Sequence, residues 1–382
     1  MGALAPIIRV ACSPGEARIA VMRGERLVDF ALWRPGEADP VGTWYRGRLT
    51  RFMPALGAWF VALPDTRSGL LPARAAPAGA TEGALIDVRV VRAPQGDKGA
   101  RLAALTVGDG AATGAHPDQI GLLRRAPSPV VGLAERWADA RIAIDDPYMT
   151  TFLPTALHAR LERVRSAFDS VTDNAVGALY EPTIALTTQI RATITPTPAL
   201  TAIDMDMNGA EQQAKQTAQF AANREALAAL GDQIRLRALG GAILVDPAGL
   251  QVRKRTALLP DLHTVLERDP EGPRCLGITQ LGLFEIVRPR REAPLHERDA
   301  SAHGRALAMA RVCAAAGDGA AVEAGLSVLA AWDADSFAQD AYQRQTGRHL
   351  TITLNPSLPP LSWRPAGFTD HTTTGPATGR HR

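Results

Sequence analysis

The sequence predicts an α+β protein, and three features predict it. Up to residue 107 the chain is a series of short apolar alternations punctuated by Gly and Pro, the pattern of half-buried strands. Between residues 200 and 246 an apolar strand, a long helical pattern and a second apolar strand follow one another. Beyond residue 304 helical spacing resumes and ends in one more strand, at 350–354.

Residues 7–12, 17–22 and 27–33 alternate as three strands, with Gly15 and Gly24 at the turns. Five more are expected at 44–52, 56–63, 68–71, 84–93 and 100–107. Five short strands at that spacing suit a small barrel of the oligonucleotide-binding (OB) type. Such barrels hold single strands through basic strand faces and exposed aromatics, so Tyr45, Arg46, Arg48, Arg51, Trp59 and Phe60 are candidates. Trp59 and Phe60 are adjacent, and only one of them can face outward.

Residues 108–130 are rich in Gly, Ala and Pro and read as a connector around the short run 121–125. From 130 to 186 the expected order is strand, helix, strand, helix, with 141–144 a clear strand and 157–168 amphipathic. A hairpin is expected at 188–194 and 199–203, turning at Pro196-Thr197-Pro198.

The unit from 200 to 246 carries the sharpest chemical signal. A helix is expected over 209–239, from Ala214, Ala218, Ala221, Leu227, Leu230 and Ile234, with Gly240-Gly241 as its stop. Strand, helix, strand is a right-handed crossover that tends to set its strands parallel and close. Asp204 and Asp246 would then share one C-terminal sheet edge, where open α/β sheets bind ligands. Two carboxylates on one edge repel unless a cation lies between them, and Mg²⁺ is the common oxygen-seeking choice. A metal-dependent phosphodiesterase needs this arrangement. An aspartate at a strand end is also a common turn former or helix N-cap, so the pair alone leaves both readings open.

Further on, 258–267 reads as a helix, 282–288 as a strand, 289–304 as a charged linker, and 305–316 and 320–332 as helices. The tail after Pro365 has a disordered composition.

The 382 residues suffice for two or three packed units. With 42 basic and 39 acidic residues, overall charge does not announce a polyanionic partner. The basic side is nearly all Arg, with lysine only at Lys98, Lys215 and Lys254. Cys12, Cys275 and Cys313 are far apart and form no CxxC pair, against a disulfide framework or a zinc ribbon. The apolar start is broken by Pro6 and Arg9, so no signal peptide or membrane span is read, and a reduced, soluble, cytoplasmic protein is the expectation.

A colinear series across roughly residues 6–363 resembles the ribonuclease E/G family of bacterial endoribonucleases. Arg18-Ile19-Ala20-Val21 resembles its opening strands, and the run Trp44-Tyr45-Arg46-Gly47-Arg48-Leu49-Thr50-Arg51 resembles its Ile-Tyr-x-Gly-x-Ile-Thr-Arg strand. Phe60-Val61 with Gly69-Leu70-Leu71-Pro72, and Gly96-Asp97-Lys98-Gly99, are similar to its next two blocks. The closest likeness is in Leu200-Thr201-Ala202-Ile203-Asp204 and in Arg235-Leu236-Arg237-Ala238-Leu239-Gly240-Gly241 running into Val245-Asp246. These are similar to the family's two catalytic blocks, while Thr346-Gly347-Arg348 resembles its terminal small domain.

The resemblance implies an RNase H-like subdomain (1–40 and 131–186) with an inserted five-stranded OB barrel (41–107) and a reduced 5′-sensor or connector (108–130). It further implies a DNase I-like α/β catalytic subdomain (187–290), a linker (291–304), a small α/β domain (305–365) and a tail (366–382). Asp204 and Asp246 would bind one Mg²⁺, with Asp206 as a further carboxylate beside them. Tyr45, Arg46, Arg48, Phe60, Lys98, Arg125, Arg253 and Arg288 would contact RNA. The implied reaction is cleavage of single-stranded RNA to a 5′-phosphate and a 3′-hydroxyl.

The chain also departs from the family's pattern. Asp206 stands where the family usually has Asn, Pro247-Ala248-Gly249-Leu250 replaces a second acidic block, and Gln280 replaces an Arg. Ala126 follows Arg125 where the sensor has Thr, which with the short connector implies that 5′-monophosphate sensing is lost. No cysteine motif stands at 291–304, so no zinc link is expected, and a homodimer would need other contacts. The chain ends soon after the small domain, so no scaffold for degradosome partners is read. A Mg²⁺-dependent endoribonuclease is the leading reading. A non-catalytic RNA-binding protein on the same scaffold is the alternative, and a phosphodiesterase for DNA or small nucleotides is the third.

Overall fold

The computed structural model describes residues 5–95, 98–106, 118–208, 215–317 and 321–366. Gly96 and Asp97, residues 108–117 of the connector, the expected start of the long helix and the tail lie outside them. The chain forms two compact units. The first comprises Met1–Cys12, Ala17–Trp33 and Glu37–Glu297, and the second Ser13–Glu16, Arg34–Gly36 and Arg298–Arg382.

The chain opens with β1 (Ile7–Ser13), β2 (Glu16–Arg23) and β3 (Arg26–Trp33), as the alternation predicts. Then come β4 (Trp44–Met53), β5 (Ala58–Ala62), β6 (Ser68–Pro72), β7 (Leu85–Arg92), β8 (Ala100–Ala104) and β9 (Gly121–Arg124). Strands β4, β5, β6, β8 and β7 close into a five-stranded ring, because β4 pairs with both β5 and β7. The ring is OB-like, closed by the parallel pair β6–β8 and filled by Leu49, Val61, Leu63, Leu71, Val88, Val90 and Leu102. Strand β9 comes from the stretch expected to be a connector and adds to the outer side of β4.

Helix α1 (Pro129–Arg136) stands where a strand was expected. Ser128 caps it, its hydroxyl accepting from Val130 N at 3.2 Å, and Pro129 suits the first turn. After β10 (Arg141–Ile144) the amphipathic stretch 157–168 is not a helix. It gives a 3₁₀ turn, then β11 (Leu161–Arg163), parallel to β10. Helix α2 (Ser170–Gly177) follows, and the first sheet runs β11-β10-β1-β2-β3.

The next sheet uses β12 (Thr183–Ala185), β13 (Ile190–Pro196) and β14 (Leu200–Met207), then α3 (Gln216–Leu236) and β15 (Gly241–Asp246). It is completed through α4 (Val252–Arg255), α5 (Leu259–Leu266), β16 (Arg274–Ile278) and β17 (Phe284–Arg288), in the order β12-β13-β14-β15-β17-β16. One face is buried: Ile203, Met205, Ile243, Val245, Phe284 and Ile286 share a core with Ala226, Leu227, Leu230 and Ile234 of α3 and Leu262 and Leu266 of α5.

Helix α3 ends earlier than its glycines suggest. Leu239 N donates to Ile234 O and Ala238 N to Arg235 O, both at 3.0 Å, a Schellman closure with Ala238 as the left-handed residue at φ +51°. A side chain in that region costs about 1 kcal/mol relative to glycine. Ala238→Gly is therefore expected to stabilise the chain by about 1 kcal/mol, read as a higher urea midpoint.

At the end of the first unit, α6 (Leu295–Ala300) begins in the stretch expected to be a linker. Leu295 is buried and donates its N–H to Arg237 O, which accounts for the order there. Helix α7 (Ala302–Ala316) is followed by β18 (Val322–Ala324), so the helix expected at 320–332 starts only at α8 (Leu326–Asp333). Gly325 makes the break, since a Cβ there would lie 2.3 Å from Pro359 O. Helix α9 (Ser336–Thr346), not foreseen, is capped by Asp335, and β19 (Ile352–Leu354) and β20 (Trp363–Pro365) flank β18.

Candidate active site

Asp204 and Asp246 meet because of two local rules. Alternation buries Thr201, Ile203, Met205 and Met207 of β14, so Asp204 and Asp206 project from the face opposite α3. The same rule buries Ile243 and Val245 of β15 and puts Asp246 on that opposite face. The α3 crossover makes β14 and β15 parallel, in a register that pairs Leu200 with Ala242 and Asp204 with Asp246. Adjacent strands lie about 4.8 Å apart, so two carboxylates face one another across a single strand spacing.

The charges act on each other. Partial burial, then the neighbouring Asp206 and Asp246, raise the Asp204 pKa above the ordinary carboxylate value, and Arg191 opposes them. Arg191 lies opposite Asp206 in the β13–β14 register and approaches it at 3.5 Å. Asp246 has a firmer counter-charge. Its Oδ1 accepts from Arg255 Nη1 at 2.7 Å. Arg255 is itself anchored by Nε to Leu250 O at 2.8 Å and by Nη1 to Gly282 O at 2.9 Å.

The loop after Asp246 is held from below by amide side chains of α3. Asn223 is fully buried; its Nδ2 donates to Ala248 O and Ala248 N donates to its Oδ1, both at 2.9 Å. Gln216 does the same at the next step, Nε2 to Gly249 O at 2.9 Å and Oε1 from Gln251 N at 3.1 Å. Pro247 starts this loop, and β15 ends at Asp246 as the sequence predicts.

A hard divalent ion suits this donor set. Mg²⁺ commonly takes only one or two protein carboxylates and completes its octahedron with water and substrate phosphate. Asp204 and Asp246 supply two. Among the described residues no group of three or more His, Cys, Asp or Glu is gathered closely enough to hold a metal.

The RNA-contact candidates divide. Arg48, Lys98, Arg125 and Arg253 are exposed. Arg48 donates to Gly83 O at 2.7 Å. Phe60 is half-buried. Beside Arg125, the Arg124 guanidinium lies over the Trp44 ring, 3.3 Å from its centroid. Tyr45 is buried in the barrel core and accepts from Arg67 at 3.3 Å. Arg46 is committed to both oxygens of Asp87 at 2.7 and 2.8 Å. Arg288 is buried, bonded to Asp269 at 2.7 and 3.3 Å and to Leu239 O at 3.1 Å, so in this structure it braces the sheet. Its place in β17, in phase with the buried Phe284 and Ile286, is a sequence signal for that.

Arg255, Asn223 and Gln216 are the site residues that the sequence reading passes over. Asn223 was detectable, because it falls on the apolar face of α3 with Ala226, Leu227 and Leu230. Arg255 was not, because nothing in Arg253-Lys254-Arg255 says which of the three turns inward.

The description Ribonuclease E/G family belongs to a family model that matches residues 149–291. The match takes in Asp204, Asp246 and Arg255 and leaves the barrel outside it. Ribonuclease E of Synechocystis sp. is 34% identical over 107 residues, which is 27% of this chain and 16% of that protein. Ribonuclease G of Haemophilus influenzae is 31% identical over 140 residues, 35% of this chain and 28% of that protein. Ribonuclease E of Nostoc sp. is 29% identical over 126 residues, 32% and 18% of the two chains. In each case the aligned stretch covers less than a third of the relative's length. Through this segment, which holds the paired aspartates, the chain is similar to the ribonuclease E/G family.

Proposed function

We propose that the protein is a Mg²⁺-dependent endoribonuclease acting on single-stranded RNA. The in-register opposition of Asp204 and Asp246 on one open sheet face carries this reading. The family match and the OB-like barrel support it. Asp204 and Asp246 would hold the ion, which when bound supplies nucleophile generation and charge stabilisation at phosphate. Arg255 fixes the direction of the Asp246 carboxylate, and the Asn223 and Gln216 clamps keep its loop from drifting. Exposed Arg48, Lys98, Arg125 and Arg253 are available to the RNA backbone.

The test is an AU-rich, 5′-monophosphorylated single strand incubated with the full chain and Mg²⁺. Internal fragments that disappear with a chelator support the enzyme. Retained binding without cleavage supports the non-catalytic RNA-binding reading, which the Arg255–Asp246 ion pair favours because it gives Asp246 a cation of its own. The same oligonucleotide with a 5′-hydroxyl is expected to be cut at the same rate within about twofold, since a monophosphate pocket needs several convergent donors. A rate ratio above about tenfold would restore end sensing.

A further inference from the structure

We infer that Arg255 sets the metal affinity of this site by holding one oxygen of Asp246, so that a divalent ion can use only the other. The inference rests on Asp204 and Asp246 being the metal-binding pair. Arg255 is not a loose surface side chain that an incoming ion would brush aside. Its side chain is 12% exposed, against 47% for Asp246, and two of its three hydrogen bonds go to main-chain carbonyls. Those carbonyls belong to the loop after β15 and the turn before β17, so the guanidinium is placed by the fold independently of the carboxylate. The turn is closely fitted to it, since a Cβ on Gly282 would lie 3.1 Å from Arg255 Nη1.

Two consequences follow from a fixed cation at Oδ1. The carboxylate is partly neutralised before any metal arrives, which lowers affinity for every divalent ion. Its second oxygen alone remains, which suits the octahedral ions Mg²⁺ and Mn²⁺ and penalises Ca²⁺, an ion with more oxygen ligands and frequent bidentate carboxylates. Arg255 is thus a positioning residue whose effect is on ion affinity and ion choice.

The experiment is Mn²⁺ binding to the full chain without RNA, followed by the paramagnetic resonance of free Mn²⁺, with Ca²⁺ as competitor. Arg255→Gln is expected to bind Mn²⁺ about five- to tenfold more tightly than the natural chain and to narrow its preference over Ca²⁺. Arg255→Lys, which keeps the charge, is expected to stay within about twofold of the natural chain. Binding that Asp204→Asn abolishes but Arg255→Gln leaves unchanged or weakens would overturn the role of Arg255 and leave the metal site standing. Absence of Asp204-dependent Mn²⁺ binding in every variant would remove both. Should Arg255→Gln fail to fold, the natural chain still decides: Mn²⁺ at least about tenfold tighter than Ca²⁺ supports the inference, and equal affinities sink it.

Discussion

Asp204→Asn and Asp246→Asn are each expected to slow RNA cleavage at least about a thousandfold, with the chain still folded. A thousandfold is about 4 kcal/mol of barrier at 1.36 kcal/mol per tenfold, within what a metal supplies to a phosphoryl transition state. The two variants should part company in stability. Asp204 has a raised pKa, so between the unfolded and folded values the native chain binds more protons than the unfolded one. Its contribution to stability is therefore present at low pH and lost as pH rises through that window. At neutral pH the Asp204 charge weakens the fold, and Asp204→Asn should raise the urea midpoint while flattening its fall above the ordinary carboxylate pKa. Asp246→Asn removes the partner of a half-enclosed Arg255 and should lower the midpoint. Rate measurements with both midpoints check this together. A carboxylate that destabilises the fold yet is needed for turnover is kept for chemistry; full activity in Asp204→Asn would end the metal-site reading.

Asn223→Ala is expected to be the most destabilising single change near the site, by roughly 3 kcal/mol. The substitution leaves Ala248 N–H and C=O without partners in a place where Ala248 is 2% exposed, and it opens a small void below the loop. Asn223→Asp should not rescue it, because it keeps the acceptor, loses both donated bonds and buries a charge. Urea midpoints check the stability. Cleavage well below the midpoint checks the second expectation, a lower kcat from a loop that no longer holds Asp246 in place. A loss under about 1 kcal/mol with unchanged kcat would show that the clamp is dispensable.

The strands were largely legible because alternation in β1, β13 and β14 is a local property with a buried and an open face. Errors came where a local signal was outvoted. The stretch 157–168 has helical spacing but is drawn into parallel pairing beside β10, whose hydrogen bonds a three-residue edge strand can satisfy. Gly240-Gly241 looked like the helix stop, yet the burial of Leu239 with Ile234 closes α3 two residues sooner. Strand β9 could not be foreseen, since four residues in a Gly-rich stretch become a strand only because β4 offers an edge.

The sequence by itself determined the groups available: two aspartates on two apolar strands, joined by a helix long enough for a crossover. The structure carries β14 past Asp204 to Met207 and ends β15 at Asp246. Period-two alternation put both on the face away from the helix, and the crossover made the strands parallel. Only the tertiary structure decided the register that sets Asp204 against Asp246, since register depends on how α3 packs across the sheet. It alone also decided that Arg255 turns inward to Asp246 while Arg253 stays in solvent, and that Arg288 braces Asp269. An arginine's reach spans several neighbours, and which carboxylate it meets is settled by the fold around it.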